Sequence, residues 1–256
     1  MRLFKILSIT LLLSFCLAPN VQAGKDTPAK VLKNKLYKSL VQISQEKKYP
    51  LVMHNIQTRL KAPYSSRNDL NIVMFWLRDH YLYDNGDPKF GLSYVQFLES
   101  LSRSMKQSDP EQSQQLKMNS MIHYFVAEYF LKSDLARCAD QSAGANTRQE
   151  MDKLRQNHLR AFSALRQEDK EHTYKTIFTM LDESVNRTSY TEICKSGVVH
   201  MQKVLESGQY QEDLNTENGE TYIDDDIAAQ VIDETSRKKQ DNALYNMLQN
   251  ELLALQ

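Results

Sequence analysis

The chain has 256 residues, 32 of them basic and 32 acidic, and a quarter of it is charged. That balance excludes a general nucleic-acid binder, which needs an excess of lysine and arginine to meet phosphate. Seven glycines and six prolines punctuate long stretches in which apolar residues recur at spacings of three and four, and no segment has a convincing period of two, so the expected class is all-α.

Residues 1–23, MRLFKILSITLLLSFCLAPNVQA, place Arg2 and Lys5 ahead of an apolar run from Ile6 to Leu17 and end on Val21, Gln22 and Ala23. A charged start, a short apolar core and small residues at the cut describe a secretory signal peptide cleaved after Ala23. The run is too short for a membrane span, which takes about 20 residues, and no later segment comes close, so no transmembrane anchor is expected after cleavage. Cys16 does not fit a lipoprotein anchor, because Phe15 stands where that processing favours a small residue. The mature chain is expected to carry 30 bases and 32 acids, a net charge of 30 − 32 = −2, and to be periplasmic or secreted.

The first mature helix is expected to open at Thr27 and Pro28 and to bury Val31, Leu32, Leu36, Leu40 and Ile43. Pro50 starts a short second one through Val52, Ile56 and Leu60. A third, from Asp69 to Tyr83, contains the six-residue apolar run Ile72 to Leu77, and a helix apolar on every side is covered on every side. Asn85 to Pro88, NGDP, is a turn; the next helix carries Phe90, Tyr94, Phe97, Leu98, Leu101 and Met105. Ser108 to Glu111, SDPE, reads as an N-cap followed by proline and opens a long helix with Met118, Met121, Ile122, Phe125, Tyr129 and Leu135. Thr147 to Glu150, TRQE, matches a capping box ahead of Met151, Leu154, His158, Phe162 and Leu165, and Tyr174, Ile177, Phe178, Leu181 and Val185 mark the helix after it.

Ser189 to Glu192, SYTE, is a second capping box. It places Cys194 early in a helix with Val198, Met201 and Leu205 on one side and Gly208 as its stop. Residues 209–226 hold seven acids and no base and are expected as an acidic loop or linker. Two last helices, through Ile227, Val231 and Ile232 and then Leu244, Leu248 and Leu252, form a C-terminal helical hairpin over residues 227–256, packed on the domain or on a partner. The domain proper is residues 24–208. Helix starts fall about every 20 residues through the first 110, a rhythm that suits antiparallel helical hairpins in an irregular bundle or short solenoid-like array. The tryptophan, glycine and alanine positions of tetratricopeptide repeats do not recur, and no family is recognised.

Cys138 and Cys194 remain after cleavage, and an even pair in an oxidising compartment is expected to form one disulfide. Cys138 lies near a helix C-terminus, where the dipole opposes a reactive thiolate. With no CxxC, HxxxH or ExxH in the chain, neither a metal site nor a cofactor is expected. A 138–194 bridge closes a loop of about 57 residues and makes its two helices neighbours.

Other chemistry-bearing patterns are weak. GDPKFGLS, Gly86 to Ser93, has Leu92 where a phosphate loop needs lysine, and no parallel sheet to present it. Asp213 to Asp224 spaces oxygen side chains faintly as a calcium loop does, but Asn218 and Glu220 stand where glycine and an apolar residue belong. His158 lies on an apolar stripe and reads as a core histidine; His123 sits beside Met121, Ile122 and Phe125 with Glu128 poorly placed as a partner. Arg187 lies in a glycosylation sequon, Asn186 to Thr188, relevant only in a eukaryotic host. RDHYLYDNGD contains the one candidate polar cluster, Arg78, Asp79, His80, Tyr83 and Asp84. It reads either as a polar cleft in which His80 and an aspartate do acid and base work, or as an ordinary amphipathic helix exit, the reading preferred here.

Charge is segregated along the chain. Residues 24–63 carry nine bases against two acids, and residues 206–236 carry ten acids and no base. The basic start suits peripheral contact with an anionic surface, or with the acidic segment of its own chain or a second copy. The expectation is an exported helical interaction, adaptor or accessory protein of a cell envelope with a protein partner, leaning away from an enzyme. The alternatives are a hydrolase of a peptidoglycan-type substrate using carboxylates, or a carrier of a small apolar ligand near Trp76, Tyr81 and Tyr94.

Overall fold

A computed structural model of the chain describes residues 29–45, 56, 67–83, 86–184, 187, 190–208, 211–213, 222–224 and 231–256. The class is all-α. The helices are α1 (Ala29–Leu32), α2 (Lys35–Gln45), α3 (Arg67–Tyr83), α4 (Pro88–Met105), α5 (Pro110–Ala136), α6 (Ala145–Ser163), α7 (Gln167–Glu183), a 3-10 helix (Thr191–Ser196), α8 (Val198–Ser207) and α9 (Glu234–Leu253). Two three-residue strands, β1 (Gln211–Asp213) and β2 (Tyr222–Asp224), pair antiparallel with Glu212 opposite Ile223. They interrupt the acidic segment expected as a plain loop, and three residues are too few to announce a period of two. The expected signal peptide, Thr27 and Pro28, most of the second expected helix, Asp84, Asn85 and most of the segment Asp213 to Asp224 lie outside the described residues. No helix among the described residues is long and apolar enough to cross a membrane.

The chain divides into two compact units, Met1–Ala127 with Arg166–Arg187, and Glu128–Leu165 with Thr188–Gln256. In the first, α3 is the hub, packed by both α2 and α4. Ile72, Val73, Met74, Phe75, Trp76 and Leu77 are all buried, as six consecutive apolar residues demand, and each large side chain so covered contributes about 1.5–3 kcal/mol. Asp87 caps α4 by accepting from the Lys89 amide at 2.8 Å, with Pro88 at the first helical position where its missing N–H costs nothing. Gly91 lets α4 approach closely: a β-carbon there would lie 2.7 Å from the Ala127 Cβ and 2.9 Å from Tyr81. Ser102 and Ser113 each donate a hydroxyl to the other's carbonyl at 2.8 Å and hold α4 to α5.

The second unit is organised by the chain that leaves α5. Cys138 is disulfide-bonded to Cys194, with Cα atoms 5.2 Å apart. The Arg137 carbonyl accepts from the Ile232 amide at 2.8 Å, and Cys138 forms an antiparallel bridge with Val231. Asp140 accepts from the Val199 amide at 2.7 Å, the Ser142 hydroxyl from the Val198 amide at 2.8 Å, and Ser196 from the Gly144 amide at 2.7 Å. The eight-residue loop 137–144 thus satisfies backbone groups on two distant segments. α9 is capped by Asp233, which accepts from Thr235 and Ser236 amides at 3.0 Å, and buries Leu248 and Leu252 with Leu244 half-buried.

Several boundaries differ from the sequence reading. The first helix breaks at Lys33 and Asn34; Asn34 accepts from the Leu36 amide and restarts the helix, leaving Leu32 exposed. The SDPE start of α5 stands as read, with Asp109 capping the Gln112 amide and Pro110 at the first helical position. The TRQE box is not a helix start, because α6 begins at Ala145 after Gly144 in the left-handed region (φ 63°) and Thr147 is buried inside it. Cys194 lies in the 3-10 helix and not in the helix of Val198, which starts anew after Gly197. Gly197 is needed there, since a β-carbon would meet the Asp140 carboxylate at 2.3 Å. Residues 231–232 are extended against Cys138 and not helical, so among the described residues the expected C-terminal hairpin is the single helix α9. At the start of α8 and at residues 231–232 the physical reason is shared: tertiary partners satisfy backbone groups that the local reading assigned to local caps.

Replacing both cysteines by serine, C138S/C194S, is expected to cost roughly 4 kcal/mol of stability from the loop-closure entropy returned to the unfolded chain. Urea midpoints of oxidised wild type and variant measure it, and an unchanged midpoint overturns the structural role.

Candidate functional site

The polar cluster foreseen at the end of α3 is buried. Arg78, Asp79 and His80 are 2%, 4% and 6% exposed, so they form neither a solvated helix exit nor an open cleft. Arg78 donates to Asp79 from two guanidinium nitrogens, at 2.7 and 3.0 Å, and lies over the Phe75 ring; the Tyr37 hydroxyl donates to the other Asp79 oxygen at 3.3 Å. This pairing compensates a desolvated charge, which alone would be costly. His80 turns the other way. Its ring stacks on Trp76 at 4.6 Å between centroids and meets Phe90 edge-on. Gly86 makes room for it, because a β-carbon there would fall 2.5 Å from the imidazole. The bonds of Asp79 to Arg78 and Tyr37 and the packing of His80 on Trp76 and Phe90 thus serve different neighbours. Tyr83 is half-buried. Arg187, noted only within the sequon, donates to the Tyr81 and Gly86 carbonyls at 3.3 and 3.1 Å and satisfies the end of α3.

A second cluster was not legible. Tyr81, Tyr94 and His123 come from three helices, and the Tyr81 hydroxyl is hydrogen-bonded to Nδ1 of His123. Burial lowers the His123 pKa to about 3, with the Arg78 charge adding to the effect, and burial raises that of Tyr81 well above its ordinary value. The phenol keeps its proton and the imidazole stays neutral, so Tyr81 is the donor. Beside Trp76, Tyr81 and Tyr94, where the ligand-carrier reading looks for a pocket, the rings of His80, Phe90 and His123 pack against them. His158 is a buried histidine as read, its pKa lowered to about 4 by desolvation.

The second unit holds a charge chain. Buried Glu128 accepts from Lys132 at 2.8 Å and from Arg155, whose other terminal nitrogen pairs with Glu251. With Tyr129, Leu244, Met247 and Leu248 these side chains line a shallow depression. Among the described residues no group of three histidine, cysteine or acidic side chains is placed to hold a metal.

The more informative surface lies at the disulfide joint. Val198, Val199, Leu205 and Val231 are 68%, 49%, 54% and 48% exposed. Three of them are held by backbone bonds at the joint: the Val198 and Val199 amides donate to Ser142 and Asp140, and Val231 bridges Cys138. On α8 the expected inward stripe holds only in part, since Met201 is half-buried while Val198 and Leu205 are exposed. His200 and Val204 are the buried residues, and Val198 and Leu205 stand on the outer side. Spacing alone reports that residues share a face, not which face turns inward. Among the described residues two carboxylates have displaced pKa values: Asp140 is lowered by hydrogen bonds from Ser142 in its own loop and then from the Val199 amide, and Asp233 by those from Ser236 and Thr235 that it accepts as a helix cap.

Comparison with protein families, with curated proteins and with solved structures finds no match.

The His123 shift carries a pH signature. The unfolded imidazole takes its proton near pH 6.5 and the folded one near 3, so between these values the unfolded state binds more protons and stability is lost as pH falls. The melting temperature should fall on acidification through this window, and less steeply in H123F. Parallel slopes for the two proteins would show that His123 is not held neutral by the fold.

Proposed function

We propose that this chain is an exported, disulfide-braced helical protein of a cell envelope, periplasmic or secreted, that acts by binding another polypeptide through the second unit. The observation that carries this reading is the exposed aliphatic patch at the joint: Val198, Val199 and Val231, with Leu205 further along α8. Exposed aliphatic side chains on a rigid support suit association. Here the support is α8, fixed at its start by Asp140, Ser142 and the neighbouring disulfide. The leader-like residues 1–23 and the cysteine pair support export.

Charge indicates the kind of partner. Exposed Glu206 and Asp233 flank the patch along the chain, within the run of residues 206–236 that carries ten acids and no base. A polypeptide with aliphatic side chains among lysines or arginines is complementary to this surface. A hydrolytic reading has less behind it, because among the described residues the carboxylates with displaced pKa values, Asp140 and Asp233, accept from the backbone amides of helix starts and Glu128 is ion-paired.

The test is affinity capture from an envelope extract with the mature protein and with V198D/L205D, two exposed positions whose substitution should leave the fold intact. Proteins retained by wild type and lost from the variant support the reading. Equal retention by both, or capture of cell-wall fragments alone, overturns it. N-terminal sequencing of the exported protein is expected to begin at Gly24, and an uncleaved start at Met1 would remove the export argument.

A further inference from the structure

We infer that the occupant of the α8 patch is the basic N-terminal segment of a second copy of this chain, so that copies associate head to tail. The inference rests on the binding reading above and names its partner. The argument is charge complementarity combined with exposure. Residues 24–63 carry nine bases and two acids, while residues 206–236 carry ten acids and no base, so a chain with no net charge presents two strongly opposed segments. Within the basic segment, α2 directs Leu36, Tyr37 and Leu40 inward and leaves Lys35 and Lys38 exposed, with Lys33 and the 37% exposed Leu32 just ahead of it. An aliphatic side chain set among three lysines is the chemistry the patch calls for. On the receiving side, Val198, Val199, Leu205 and Val231 supply apolar area and Glu206 and Asp233 the opposite charge.

Donor and acceptor surfaces are different parts of the molecule, so the contact is heterologous, and each copy that binds through its patch still offers a free basic segment. The association is therefore expected to grow with concentration beyond a dimer unless the geometry closes a ring. Opposed exposed charges also make it sensitive to ionic strength, since screening at 0.1 M salt already acts over about 10 Å.

Sedimentation velocity of the mature protein over a concentration series, at low and high salt, tests the inference. Wild type should gain mass with concentration at low salt and lose at least about tenfold in association constant at high salt. V198D/L205D and K33E/K35E/K38E, each checked for native helicity by circular dichroism, should each remain monomeric alone. Mixed together they should form a dimer and stop there, because one variant retains the basic segment and the other the patch. Monomeric wild type at every concentration and salt overturns the inference, and so does association that persists in either single variant or a mixture that fails to dimerise. If wild type is monomeric while the patch variant still loses its captured envelope partner, only the second-copy assignment falls; if neither depends on the patch, both readings fall.

Discussion

The tie between Cys138 and Cys194 is the constraint on which the second unit depends. It fixes the chain leaving α5 against the 3-10 helix, and the residues just beyond Cys138 then supply the acceptors that α8 lacks. Gly197 brings no capping side chain of its own, and it must be glycine for the Asp140 carboxylate to come close. The Arg137 carbonyl and Cys138 backbone hold Ile232 and Val231 in turn. A run of backbone polar groups that would be orphaned at helix ends is satisfied across the joint. The same arrangement explains the exposed patch: a helix oriented by its caps and by the neighbouring disulfide need not turn its most apolar side inward.

The first unit is governed by desolvation instead. The apolar run of α3 is covered on all sides, and the polar residues that follow it are drawn into the core with it. Asp79 is compensated by Arg78 and Tyr37 and His123 by the Tyr81 hydroxyl, while the His80 ring packs against Trp76. Buried polar groups of this kind resemble catalytic residues in composition, since both are titratable side chains away from water. What separates them is convergence on a common space, and here the side chains diverge toward different neighbours.

The helices of the central chain were legible because long apolar periodicities dominate weaker local signals. The α3 run, the α4 stripe with its Asp87 turn, the Gly208 stop and the Leu248 and Leu252 seam of α9 all lie where the pattern put them. Misreadings gathered where a short motif was taken for a cap. TRQE and SYTE have the right letters, but Thr147 is buried within a helix and α8 is capped from loop residues more than fifty positions away. The candidate site was legible only in part: Arg78, Asp79 and His80 were recognised as neighbours, but their burial was not, and the Tyr81 and His123 pair is separated by 42 positions with no local signature.

The amino-acid sequence by itself determined the all-α class, the hub helix and the pairing of the only two cysteines outside residues 1–23, because periodicity and parity are properties of the chain. It also set the segregation of basic from acidic residues, which no fold can alter. Tertiary structure alone decided which side of α8 faces outward, which carboxylates serve as caps, and whether the polar end of α3 meets water or aromatic rings. Those outcomes depend on backbone partners and close approaches between residues distant in the chain, and such contacts leave no mark on local spacing.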